Sequence, residues 1–275
     1  MELASIAALN PEHDPSRKLL TLWLEHGKAN EMGSEQLAAF ESLCDLLERD
    51  DAITTLCTSS RRISGGGKPI FISGANVTER VGWDDDRVRA HVVRQRELMR
   101  RIRRLPIFHV VVPSGITLGW GTEYVLTGDY AIATPASSFA LPETGLGILP
   151  GARGTAELAE LVGISQALRL GMTGESIDAR EAHRIGLVQE LAGDLDDALA
   201  RVHALAELVR RRSPTAIAAY KFALLEGRGN PEARRLELER EAYERTVACG
   251  DAATGRAAFA AIRAGEVPAW ARRRA

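Results

Sequence analysis

Two glutamates stand out by what surrounds them. Glu123 lies in residues 115–124 (GITLGWGTEY), near the start of an expected short helix at 122–126. Glu143 follows Leu141 and Pro142, in a loop after an expected strand at 130–134. A glycine-flanked helix start offers unpaired N–H groups and the positive end of the helix dipole, which suits an oxygen that gains negative charge. Two nearby carboxyls can divide proton transfer, one as base and one as acid. A plainer account also stands: Glu123 makes a first-turn dipole contact and Glu143 caps the turn at Pro142. Spacing alone does not separate the two.

The elements that would position these residues are legible on both sides. The apolar run 107–112 is short enough for a buried strand, and residues 115–121 form a glycine-rich turn after it. Upstream, 18–25 (KLLTLWLE) and 53–58 read as strands around an amphipathic helix over 30–49, with Leu37, Phe40, Leu43 and Leu47 on one face. That order favours a parallel βαβ unit. Residues 69–77 form a strand ending in Ser73, Gly74, Ala75 and Asn76. Residues 84–105 form a helix with an acidic start and a basic end, matching the dipole, with Val88, Val92, Met99 and Ile102 toward the core.

Residues 1–16 read as a loose leader broken by Asn10-Pro11 and Asp14-Pro15. Beyond the central stretch come helical pieces at 156–162 and 165–170 around Gly163, then 179–185, stopped by Gly186. Helices at 195–212, from Ser213-Pro214 toward 225, at 232–249 and at 251–264 make an all-helical tail.

With 275 residues and 45% hydrophobic content the chain can bury a large core, as one large domain or two small ones. Lys and Arg total 35 against 37 Asp and Glu, a net charge of −2, which calls for neither nucleic acid nor an anionic membrane. Cys44, Cys57 and Cys249 are odd in number and have no histidine cluster, which argues for a reducing compartment and against a zinc site. Residues 1–10 carry no signal peptide and no run reaches transmembrane length, so a soluble, cytoplasmic protein is expected.

Several motifs invite chemistry that their spacing does not support. Residues 61–68 (RRISGGGK) lack phosphate-loop spacing, and Pro69 follows the lysine where Ser or Thr belongs; a flexible loop is expected. Arg94, Arg96, Arg100, Arg101, Arg103 and Arg104 read as a solvated helix face. His91 and His109 read as packed or exposed histidines.

The central stretch resembles the core signature of the crotonase (enoyl-CoA hydratase/isomerase) family, G-x-x-x-G-G-G-x-E-L followed by P-E-x-x-x-G-x-x-P-G-x-G-G-T. Here these read GITLGWGTEY (115–124) and PETGLGILPGARGT (142–155). Residues 71–77 (FISGANV) are similar to the family's F-x-A-G-A-D element. Residues 172–188 (MTGESIDAREAHRIGLV) are similar to its L-T-G-x-x-I-x-A-x-x-A-x-x-x-G-L-V element.

The resemblance implies an α/β, crotonase-like (ClpP/crotonase) fold of repeated βαβ units over 1–190, with two nearly perpendicular sheets. A C-terminal helical trimerisation region would fill 191–275. It implies an acyl-CoA substrate whose thioester oxygen sits between the backbone N–H groups of Ala75 and Trp120, and no cofactor beyond the coenzyme A of the substrate. With both glutamates kept, it implies hydration of a 2-enoyl-CoA, Glu123 activating water and Glu143 protonating C2. Isomerisation, C–C hydrolysis, thioester hydrolysis and a non-catalytic acyl-CoA-binding role remain as alternatives. Ser73, Gly74, Asn76, Gly119, Gly151, Phe259 and Arg263 are the implied substrate or CoA contacts, with Lys221 a further one at the phosphate end. Val81, Trp83 and Met99 would line the acyl pocket, and self-association as a trimer or hexamer is expected. Trp120, Asn76 and Arg153 depart from the family's Gly, Asp and Gly. The Trp120 indole is expected to pack rather than line the pocket.

Overall fold

The protein was analysed as a computed structural model, which describes residues 3–273. The chain begins with a 3-10 turn, Leu3–Leu9, and an edge strand β1 (Pro11–Asp14) antiparallel to β2 (Leu19–Trp23). The described part of the expected leader is therefore built into the fold. Ile6 and Leu9 are fully buried against α1 (Ser34–Arg49), and Pro11 stands at the first position of an edge strand, where a missing N–H is tolerated.

From β3 (Thr55–Ser59) onward the repeat is two strands and a helix rather than a simple βαβ turn. β3 leads to the short β4 (Ile70–Ile72) and then to α2 (Asp85–Arg104). β5 (Phe108–Val111) leads to β6 (Ile116–Leu118) and α3 (Trp120–Val125). β7 (Tyr130–Ala133) leads to β8 (Ser138–Ala140), then to a 3-10 turn Pro142–Leu146 and α4 (Gly154–Val162). The first strand of each pair joins one parallel stack, and the second joins another.

After α5 (Ile164–Thr173) come β9 (Ile177–Asp178), α6 (Ala179–Arg184) and β10 (Glu190–Leu191). The sheets have the orders β1-β2-β3-β5-β7-β10 and β4-β6-β8-β9. The expected turn at 115–121 thus contains a three-residue strand. Gly115 permits it, since a Cβ there would come within 2.3 Å of the Pro69 carbonyl.

The main core lies between α1, α2 and the sheets; Leu37, Phe40, Leu43, Phe71, Met99 and Tyr124 are among its members. On α2 the deeply buried residues are His91, Gln95, Leu98, Met99 and Ile102, while Val88 and Val92 are only half-buried. A second cluster joins Leu19, Cys57, Val110, Val112 and Ile132 to Ala198, Val202 and Ala206 of α7 (Leu195–Val209). The helical tail therefore begins by covering the outer face of the large sheet. It continues through α8 (Pro214–Gly227), α9 (Glu232–Ala248), α10 (Asp251–Ala257) and α11 (Phe259–Arg263), with α8 packed along α9. At its end Arg273 donates to the carbonyls of Leu47, Asp50 and Pro106.

Candidate active site

Three parallel strands of the small sheet end side by side. β4 pairs with β6 through Ile70 and Ile116, and β6 pairs with β8 with Leu118 opposite Ala140. The segments leaving these ends are Ser73–Gly74–Ala75, Gly119–Trp120 and Leu141–Pro142–Glu143. Parallel pairing thus converts distant stretches of sequence into one edge, at the carboxyl ends where α/β sheets expose their sites.

Local bonds fix each segment. Gly119 N–H donates to the Ala140 carbonyl at 2.9 Å. Thr122 Oγ1 lies 3.0 Å from the Thr117 carbonyl and 2.9 Å from that of Ala140, tying the first turn of α3 to both strands. Gly121 lets α3 rest on β4, because a Cβ there would fall 2.3 Å from the Ile72 carbonyl.

Two main-chain donors lie at this edge. Ala75 bridges Met32, with Met32 N–H donating to Gly74 O and Asn76 N–H to Met32 O, both at 2.9 Å. In such a parallel bridge the N–H of the central residue points away from its partner. Trp120 opens α3, where the first N–H groups have no acceptor within the helix. Among the described residues neither the Ala75 nor the Trp120 N–H meets an acceptor.

Both glutamates are buried beside them, Glu123 3% and Glu143 9% exposed. Glu123 Oε1 accepts from the Gly154 N–H at 2.6 Å. Burial, aided by the neighbouring Glu143 charge, pushes the Glu123 carboxyl up to about 8, although the Gly154 N–H favours its charged form. Burial also raises the Glu143 carboxyl, whose Oε2 is buried without a partner among the described residues. Its segment is held by Thr144 Oγ1 donating to Gly171 O at 3.1 Å. The Glu143 charge is thus felt at the Glu123 carboxyl, where it favours the protonated form.

The expected contacts divide into two groups. Ser73, Gly74, Ala75, Gly119 and Trp120 belong to the strand-end cluster with the two glutamates. The Asn76 side chain is committed to its own turn, accepting from Thr78 N, Thr78 Oγ1 and Glu79 N. Gly151 lies below α2, its carbonyl 3.2 Å from Arg96 Nε. The Trp120 indole packs inward, stacked on Tyr124 with centroids 5.5 Å apart and tilted on Phe40.

Burial redirects two further expectations, those for Lys221 and Met99. Lys221 is 9% exposed, and its Nζ donates to Asp129 Oδ2 at 2.7 Å and Ile107 O at 3.0 Å. An ammonium held in that pair is a strut between α8 and the large sheet, not a phosphate contact. Phe259 and Arg263 lie exposed on α11. Met99 is a core residue, Val81 is exposed, and Trp83 packs edge-on against His91.

Arg94, Arg100, Arg101, Arg103 and Arg104 are each ion-paired, which accounts for most of the basic face of α2. The turn at residues 61–68 closes on itself, Lys68 N–H donating to Ser64 Oγ at 2.9 Å. His109, held down to about 3 by burial and the Lys221 charge, is a neutral core group bonded to Thr58. Gly154, the donor to Glu123, was visible only as part of a motif; the bond across 31 positions was not.

Comparison with known proteins is consistent with this geometry. Residues 61–267 match the profile of the family described as enoyl-CoA hydratase/isomerase. The mouse mitochondrial enoyl-CoA hydratase domain-containing protein 2 is 32% identical over 200 residues, 72% of this chain and 68% of the relative. The crotonyl-CoA hydratase of Syntrophomonas wolfei is 28% identical over 247 residues, 90% of this chain and 93% of the relative. The crystal structure of the enoyl-CoA hydratase from Bacillus anthracis superposes with a TM-score of 0.83 at 28% identity, covering 92% of this chain and 95% of the other.

Proposed function

The chain belongs to the enoyl-CoA hydratase/isomerase family, and from that premise we propose that it adds water across the 2,3 double bond of an enoyl-CoA, or removes it in reverse. The observation that carries this reading is the buried pair Glu123 and Glu143 at a strand-end edge with two main-chain N–H groups unpaired among the described residues. The names of relatives, a crotonyl-CoA hydratase and a short-chain enoyl-CoA hydratase among them, support it.

In this mechanism the thioester oxygen accepts from the Ala75 and Trp120 N–H groups, which makes C3 electrophilic and stabilises the enolate that forms. The reacting form has its charge on Glu123, where the Gly154 N–H supports it, and its proton on Glu143, whose Oε2 meets no donor among the described residues; with Glu123 raised to about 8, this is a minor form near neutral pH. Glu123 takes a proton from water as the water oxygen bonds to C3. The double-bond electrons move toward the carbonyl, and Glu143 delivers its proton to C2 as the enolate collapses. Dehydration runs the same transfers backwards. Beyond the coenzyme A of the substrate, the scheme requires proton transfers and backbone donors alone.

Loss of conjugated thioester absorbance with crotonyl-CoA and longer, branched and cyclic 2-enoyl-CoAs tests the reading, with wild type and Glu143→Gln side by side. The expected result is 3-hydroxyacyl-CoA as product and a loss of about a hundredfold or more in kcat for the variant, with CoA affinity unchanged. No turnover across the panel with CoA still binding would overturn hydration, in favour of another reaction of the family or a binding role. Self-association as a trimer or hexamer belongs to the same proposal, and exposed Tyr220, Leu224, Leu236 and Tyr243 on α8 and α9 support it. A wild type that sediments as a monomer would remove it.

A further inference from the structure

The loop before α4 has a feature that the proposed reaction leaves unused. Arg153 caps that helix with a left-handed backbone, φ 91°, a region that strains any residue with a Cβ and favours glycine. Its side chain runs back along the helix. Arg153 Nε donates to Glu157 Oε1 at 2.9 Å, and its Nη2 meets the same oxygen. Glu157 is buried, and its Oε2 accepts from Arg228 Nη1 at 2.8 Å. Arg228 caps the C-terminal end of α8 and also pairs with Glu160. Burial alone would raise the Glu157 carboxyl, yet the bonds and charges of Arg153 and Arg228 bring it below its ordinary value. The carboxylate is thus held, charged, between two guanidiniums.

What residue 153 orients is the next peptide. That peptide carries the Gly154 N–H, 2.6 Å from Glu123 Oε1. The fit has no slack, since a Cβ on Gly154 would lie 2.8 Å from Glu123 Oε1 and 2.7 Å from Pro150 Cβ. A rotation of the backbone at Arg153 would turn the donor off the carboxyl.

We propose that Arg153, Glu157 and Arg228 form a positioning chain for Glu123, holding residue 153 left-handed so that the Gly154 N–H stays aimed at the carboxyl. The chain ties the acid pair to α8, and so to the helical tail. Its catalytic meaning rests on the reading of Glu123 as a reacting carboxyl.

The test is a carbon-13 titration of glutamate carboxyls in the full chain, the Glu123 signal being the one lost in Glu123→Gln. Arg153→Ala removes the clamp and leaves a Cβ in a strained backbone. Arg153→Gly removes the clamp but keeps the conformation unaided. Glu157→Gln removes the charge between the guanidiniums. In Arg153→Ala and Glu157→Gln the Glu123 midpoint should rise by about half a pH unit or more, because the charged form loses its N–H donor. In Arg153→Gly it should stay at the wild-type value.

In the hydration assay the first two variants should lose about tenfold in kcat with KM little changed, and Arg153→Gly should not. Unmoved midpoints in the two folded variants would overturn the proposal, as would Arg153→Gly shifting as far as Arg153→Ala. Should Arg153→Ala fail to fold, Glu157→Gln against Arg153→Gly carries the comparison. The titration needs no turnover, so an inactive wild type would count against hydration and leave this result readable.

Discussion

Glu143 Oε1 lies 2.6 Å from the point where a Cβ on Gly119 would stand, and Gly119 itself has φ 50° and ψ −117°. The glycine is thus needed twice. Its backbone turns β6 into α3 in a conformation open to glycine, and its missing side chain is the space that the carboxyl fills. Gly119→Ala should therefore displace Glu143 and strain the turn by about 1–3 kcal/mol. A flexible carboxyl can swing away, so the fold should survive while kcat falls by about a hundredfold or more. Thermal melting and steady-state kinetics check this together, and wild-type kcat in the variant would show that Glu143 needs no such seat.

Glu123 should titrate according to its neighbour. Its carboxyl is raised from 4.5 to about 8 by burial first and then by the charge of Glu143. Glu143→Gln removes that charge, so the Glu123 midpoint should fall below its wild-type value while staying above the ordinary one. The sign for stability follows from the raised folded value. Glu123 contributes its full share below pH 4.5 and loses it as pH rises through about 8. At pH 9, Glu123→Gln should thus be more stable than wild type by at least about 1 kcal/mol, read from denaturant unfolding.

How much of this was legible follows from how local each signal is. Glu123 and Glu143 announce themselves through glycine and proline neighbours, and the long helices through periodicity over many turns. β6 and β8 have three residues each, too few for alternation to show; β6 is a strand because β4 offers it an edge, and β8 because β6 does. Residues 10–15 read as breakers because Asn-Pro and Asp-Pro usually end elements; here Pro11 begins an edge strand, and Ile6 supplies burial from a seven-residue turn too short to advertise it. Lys221 looked free for a phosphate because its partner Asp129 is 92 positions away. Pairing across such distances sets the character of a charged residue, and no local pattern carries it.

Trp120 separates side chain from backbone at the expected oxyanion site. Its indole stacks on Tyr124, its Nε1 is buried with no partner among the described residues, and its main-chain N–H, at the first turn of α3, meets no acceptor among them either. Trp120→Phe keeps that main-chain donor and removes a buried donor that nothing satisfies, which offsets the packing lost. kcat should stay within about threefold of wild type, a change of under about 1 kcal/mol in the barrier. A fall of two orders of magnitude with the fold intact would mean that the indole itself shapes the reacting geometry.

Lys221 gives the opposite kind of outcome, stability without chemistry. Its ammonium meets Asp129 Oδ2 at 2.7 Å, and the same carboxylate accepts from the His109 N–H at 2.9 Å and Arg103 Nη1 at 2.7 Å. Lys221→Met removes one of three donors and leaves the Asp129 charge partly uncompensated under the sheet. Breaking a buried pair outright costs about 3–5 kcal/mol, and the two donors that remain should hold the loss to about 1–3 kcal/mol. Each kcal/mol should lower Tm by about 2–4 °C in a chain of this size. CoA affinity, followed by calorimetry below the melting range, should not change. A tenfold weaker CoA complex with an unaltered Tm would return Lys221 to the substrate and detach it from Asp129.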